Sequence, residues 1–153
     1  MTHVLDQIVE SIRTLLTDTT DADDRVTRDR SPRRPFQGRS DLPAIDIRVG
    51  DDDPLDLGLQ PQGVWRSEAT VYVDLYTYAA EVDASADVLE LRAQVDRAIM
   101  ADAPRLSGVE LAIRVLRNGA EAIQREDSGQ LPIAYCRTAF TVLYQHSLTD
   151  PAE

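Results

Sequence analysis

A chain of 153 residues is long enough for one domain, and at that size about two-thirds of the unfolded surface is buried on folding without disulfide or metal staples. The 27 acidic residues outnumber the 16 basic ones, and the formal net charge of -11 makes nucleic acid a poor partner for the surface as a whole. A single cysteine, Cys136, excludes a disulfide framework within one chain and fits a reducing compartment.

The first ten residues carry Asp6 and Glu10 where a secretory signal would be uninterruptedly apolar, and no stretch approaches the roughly 20 apolar residues of a membrane span. A soluble intracellular protein is therefore expected. From Thr2 to Leu16, Val4, Leu5, Ile8, Val9, Ile12, Leu15 and Leu16 recur at helical spacing, which predicts an amphipathic helix with Thr2 as its N-cap. Residues 17–43 are rich in Asp, Thr, Arg, Ser and Pro, with only Val26 and Phe36 offering much to a core. They predict an arm or loop with a short strand around Arg25 to Asp29.

Charge in this part of the chain is blocked. Residues 1–24 are acidic, Arg25 to Arg39 holds six Arg against one Asp, and residues 40–62 are acidic again, a pattern that invites contacts between copies. All the basic residues are Arg, which a coding sequence rich in G and C explains without a functional reason. After Pro43, Ile45, Ile47 and Val49 alternate with Asp46 and Arg48, predicting a half-buried strand with the aliphatic residues inward. Asp51, Asp52, Asp53 and Pro54 then open a segment to Gly63 that predicts a protruding flexible loop.

The stretch from Val64 to Ala79 predicts a long strand. One face carries Trp65, Ala69, Val71, Val73 and Leu75, and the other carries Tyr72, Asp74, Tyr76 and Tyr78. The second face is too aromatic for idle solvent exposure, so a second layer or another chain is expected to cover it. Asp83 or Ser85 can cap a second helix through Ala101, with Val88, Leu91, Val95, Ala98 and Ile99 on one stripe. A turn at residues 103–108 leads to a strand alternating through Val109, Leu111, Ile113 and Val115, and Asn118-Gly119 is a turn signal. Residues 121–130 read as a polar connection. Ile133 to Tyr144 predicts a last strand with Ala134, Cys136, Thr138, Phe140, Val142 and Tyr144 on one face, before a flexible tail at residues 147–153.

This order predicts an α+β fold: an antiparallel or mixed sheet with two amphipathic helices packed on one face and long protruding loops, in a single domain over residues 1–146. Motifs for chemistry are thin. Adjacent Asp51, Asp52 and Asp53 point in alternate directions and lack the downstream Glu of a calcium loop. Cys136 lies on an apolar face and His146 near the end of the chain, so a thiol nucleophile with His146 or His3 as its base is disfavoured. No phosphate loop, nucleophile elbow or Cys-x-x-Cys pair occurs. The expectation is a protein that is not an enzyme and has no cofactor and no metal.

Taken together, these residues resemble the tail-terminator proteins of long-tailed bacteriophages. The likeness runs over the N-terminal helix, Leu42-Pro-Ala-Ile-Asp-Ile-Arg-Val, Trp65-Arg-Ser-Glu-Ala-Thr-Val-Tyr-Val-Asp-Leu-Tyr and Asp87-Val-Leu-Glu-Leu-Arg through Ile99-Met-Ala-Asp. It continues over Leu106-Ser-Gly-Val-Glu-Leu and Pro132-Ile-Ala-Tyr-Cys-Arg-Thr-Ala-Phe-Thr-Val-Leu-Tyr, about residues 1–146 in all. The resemblance implies a hexameric ring, assembled in the host cytoplasm and located at the virion tail or neck. It would cap the head-proximal end of the tail tube and offer a docking surface to head-completion or connector proteins. The implied partners are further copies of the chain, the tail tube protein and those neck proteins, with DNA passing through the ring unbound and no membrane involved. Exposure and charge, rather than the family, nominate Arg30, Arg33, Arg34, Phe36, Asp51, Asp52, Asp53, Tyr72, Tyr76 and Tyr78 as subunit or tube contacts. Another neck component, and a small intracellular ligand-binding or regulatory domain, are the alternatives.

Overall fold

The computed structural model describes residues 3–30, 36–55, 64–79, 84–102, 112–126 and 131–147. Helix α1 spans Val4–Thr19 and helix α2 spans Ala84–Asp102. Six strands, β1 (Val26–Arg28), β2 (Ala44–Pro54), β3 (Val64–Tyr78), β4 (Ala112–Ala120), β5 (Gln124–Glu126) and β6 (Ile133–Ser147), form one sheet in the order β1-β2-β3-β6-β4. β5 pairs with the β4 side of β6 as well. β1 runs parallel to β2 and the remaining pairs are antiparallel, so the sheet is mixed. The expected α+β architecture is present.

The centre of the sheet is the ladder between β3 and β6, each 15 residues long and paired from Val64↔Ser147 to Tyr78↔Ile133. Its register puts Ala69, Val71, Val73 and Leu75 beside Val142, Phe140, Thr138 and Cys136, all on one face and all buried. Both helices lie on that face. Val4, Ile8, Val9, Ile12 and Leu16 of α1 and Leu91, Val95 and Ile99 of α2 join the strand residues in one core, while Val88 packs with Ala79, Ala134 and Cys136. Each aliphatic side chain buried this way contributes about 2 kcal/mol, which holds α1 to the sheet. Arg28 adds a polar tie, its guanidinium reaching Asp6 at 2.7 Å and Glu10 at 2.8 Å on α1.

Several expectations change in detail. The side chain capping α1 is His3, whose Nδ1 accepts from the Leu5 amide at 3.1 Å; Thr2 lies outside the described residues. Ser85 sits within α2 rather than ahead of it, and Asp83 is outside the described residues. Asp51 to Pro54 are not loop: β2 continues through them past a bulge between Val49 and Asp52, where an extra β2 residue shifts the register against β3 by one. Val49, expected inward, is 40% exposed, and Asp46 is 1% exposed although its face was expected to meet solvent. Asn118-Gly119 is not a turn but lies inside β4, where a register shift falls between Arg117 and Gly119 and Gly119 takes φ 113. The polar connection contains β5, all three residues exposed. The turn at residues 103–108, Val109, Leu111, the segment 56–63 and residues 148–153 lie outside the described residues, as do the side chains of Trp65, Ile113, His146 and Ser147.

Candidate functional site

The sheet face away from the helices carries the chain's most unusual chemistry. Strand alternation sends Asp46 and Arg48 of β2, Tyr72, Asp74, Tyr76 and Tyr78 of β3, and Tyr135 and Arg137 of β6 to this side. The register then aligns them, with Asp46↔Asp74↔Arg137 on one rung and Tyr76↔Tyr135 on the next pair along. Asp46 and Asp74 are both 1% exposed, and a buried carboxylate requires hydrogen bonds and a counter-charge. Asp74 takes a two-point contact from Arg137, Nε to Oδ1 at 2.8 Å and Nη2 to Oδ2 at 3.0 Å, plus the Tyr135 hydroxyl at 3.2 Å. Asp46 Oδ1 accepts from the Thr27 hydroxyl at 2.8 Å and the Arg30 amide at 2.9 Å.

Arg48 joins the two acids. Its Nε lies 2.9 Å from Asp46 Oδ2 and 3.5 Å from Asp74 Oδ2, and its Nη2 donates to the Arg30 carbonyl at 2.6 Å. The first of these is a Coulombic contact without hydrogen-bond alignment, so Asp46 Oδ2 accepts no hydrogen bond among the described residues. Two acids and two guanidiniums make a locally neutral group. Arg137 is held protonated chiefly by its hydrogen bonds to Asp74. Burial pushes the Tyr135 phenol up to about 12, with the nearby Asp74 carboxylate pushing the same way. Tyr76 is raised for the same two reasons, burial first.

Aromatic rings and guanidiniums cover this polar layer. The Arg30 guanidinium sits 3.7 Å from the centre of the Phe36 ring; Phe36 packs 5.1 Å from Tyr76, and Tyr76 5.1 Å from Tyr135. Arg137 stacks on Tyr72 at 4.5 Å and Arg39 on Tyr78 at 4.7 Å. The expected second layer over the tyrosine face is thus supplied in part by the chain's own Arg-rich arm.

Of the nominated residues, Arg30, Phe36, Tyr72, Tyr76 and Tyr78 meet on this face, and Arg33 and Arg34 lie outside the described residues. Asp51, Asp52 and Asp53 are exposed at the far end of β2, where Asp52 accepts from the Tyr144 hydroxyl at 2.8 Å. Sequence reasoning overlooked Asp46, Arg48, Tyr135 and Arg137 as a unit. The available signal was the placement of Asp46 and Arg48 of β2, Asp74 of β3 and Arg137 of β6 between inward-facing residues, on the face that also carries the tyrosines. At the end of the sheet, a cavity of about 320 Å³ opens between Arg39, Tyr78 and the α2 carboxylates Asp87 and Glu90. Cys136 is fully buried and its thiol is raised by burial, a state opposite to that of an activated nucleophile.

No protein-family model matches the sequence, and no curated protein matches it. Among solved structures, the chain is similar to a protein chain in the virion of a native gene transfer agent (GTA) particle. The two are 15% identical, and the superposition covers 94% of this chain and 92% of the other at a TM-score of 0.50. At that identity the likeness is one of fold, over nearly the whole of both chains.

Proposed function

We propose that this chain is a structural virion protein of tail-terminator type, which forms a ring on the head-proximal end of a tail tube, ends tube polymerisation and presents a docking surface to neck proteins. The observation that carries the reading is the fold shared, end to end, with a chain of a gene transfer agent virion. The sequence resemblance to tail terminators supports the same reading independently. The mechanism is capping by binding, in which one ring face imitates the next tube ring and the other offers no site for a further tube subunit. No bond is made or broken.

The electrostatics are compatible with that role. A net charge of -11 repels phosphate, so a ring of such chains would pass DNA through its lumen without holding it. The polar layer around Asp46 and Asp74 gives the sheet an internally neutral face on which contacts with other subunits can be built.

Adding the purified protein to tail tube protein that is polymerising in vitro tests the reading. Tubes that stop at short, uniform lengths with the protein at one end support it. Tubes that grow as they do without it contradict it, and binding of the protein only to isolated head or connector complexes moves it to a neighbouring place in the neck.

A further inference from the structure

The two edges of the sheet are chemically unlike. At one edge β1 pairs only with Ile45–Ile47 of β2, so among the described residues the stretch from Val49 to Pro54 has β3 on one side and no strand on the other. This open stretch exposes Val49 together with Asp51, Asp52 and Asp53. At the opposite edge β4 pairs, among the described residues, with β6 alone, exposes Arg114 and Arg117, and contains no acidic residue. Arg117 is partly satisfied by Asp96 at 2.8 Å, which leaves Arg114 as the more available of the two charges.

An open strand edge is a template for another strand, and charge decides which one. Two acidic β2 edges repel each other, as do two basic β4 edges, so pairing of like with like is disfavoured. An acidic edge against a basic edge is favoured. Bulges keep the match short, with regular pairing of β4 confined to Arg114–Arg117 and that of the outer part of β2 to Asp52–Pro54. A contact between two different surfaces of the same chain is heterologous, runs head to tail, and produces a ring when its rotation closes.

We propose that the acidic outer half of β2 in one copy docks on the basic β4 edge of the next copy, continuing the sheet across the subunit boundary. This deepens the ring assignment of the preceding subsection and rests on it.

Charge swaps in the full-length protein test the proposal, with mass read by light scattering over a range of concentrations and folding checked by circular dichroism. Asp51→Arg alone and Arg114→Glu alone each weaken self-association by about tenfold, and combining both in one chain restores it to within about threefold. A wild-type protein that stays monomeric at every concentration overturns the edge contact but leaves the virion role standing, since binding to a tube end does not depend on this contact. Oligomers indifferent to either swap overturn the edge contact and leave the ring. Capping that fails in the polymerisation assay while the swaps behave as described overturns the tail-terminator reading instead.

Discussion

Asp46 on β2 and Asp74 on β3 stand directly opposite each other in the ladder, each 1% exposed. Like charges at facing positions destabilise a sheet, and here Arg48 reaches both carboxylates while Arg137 grips Asp74 at two points. The arrangement holds three strands to one another from the face without helices, β2 through Asp46 and Arg48, β3 through Asp74 and β6 through Arg137.

Removing one member of this group exposes the cost of the others. Asp74→Asn leaves Arg137 without its two-point partner, and breaking a buried pair ordinarily costs 3–5 kcal/mol. Both Arg side chains are about 30% exposed and can turn toward water, so we expect a loss of about 2 kcal/mol by urea denaturation. A loss below about 0.5 kcal/mol would show that the group adds little to stability.

The core on the other face gives a contrasting pair. Ile12 of α1 is fully buried in the core between helix and sheet, and Ile12→Ala is expected to cost about 3 kcal/mol through lost burial and the cavity left behind. Leu89 on α2 is 49% exposed, and Leu89→Ala should stay within about 0.5 kcal/mol. Equal effects in a denaturant titration would contradict the assignment of the helix-covered face as the core.

Gly50 is close-packed for a specific reason. A Cβ at this position would meet the Tyr72 ring at 2.5 Å, and that ring stacks on Arg137. Gly50→Ala therefore displaces Tyr72 and is expected to cost about 1 kcal/mol, after allowing for the smaller chain entropy of Ala in the unfolded state. Tyr72→Ala in the same background should remove most of that penalty.

Alkaline pH should weaken the fold through its buried phenols. Tyr76, Tyr135 and Tyr144 are all raised above the ordinary value of 10, primarily by burial, with Tyr135 at about 12. Each stays protonated in the folded protein after its unfolded counterpart has ionised. Their stabilisation is complete below the unfolded value and is lost as pH rises from about 10 toward about 12. Urea midpoints that fall across this window, alongside phenolate absorbance that appears late and together with unfolding, are the expected outcome.

Cys136 supplies a probe of the native state. Its thiol is fully buried and raised by burial, so a thiol-specific reagent near neutral pH should label it only on unfolding. Rapid labelling of the native protein would contradict the packing of Cys136 beside Val88 and Ala134.

The elements that burial dictates were legible in the sequence. The stripe from Val4 to Leu16 and the alternation from Ala134 to Tyr144 announce their partners, because each apolar position has one face to occupy. The outer half of β2 was not, since Asp51 to Pro54 are exposed and are held extended by pairing with β3, with no apolar pattern to show it. β5 escaped for the same reason, and Gly119 signals a turn although its positive φ serves a register shift within a strand. The tyrosines of β3 marked the second face correctly. Its cover was hidden, because Arg30, Phe36 and Arg39 come from an arm with no periodicity, and Asp46 reads as a solvent residue until Arg48, Thr27 and the arm enclose it.

Tube termination is what we propose for this chain, and the most direct measurement is negative-stain electron microscopy of lysates from cells in which this gene carries a stop codon. Overlong, irregular tubes beside tailless heads are the predicted result. Tails of uniform, normal length lying unattached to heads would contradict termination and assign the protein to the joining step.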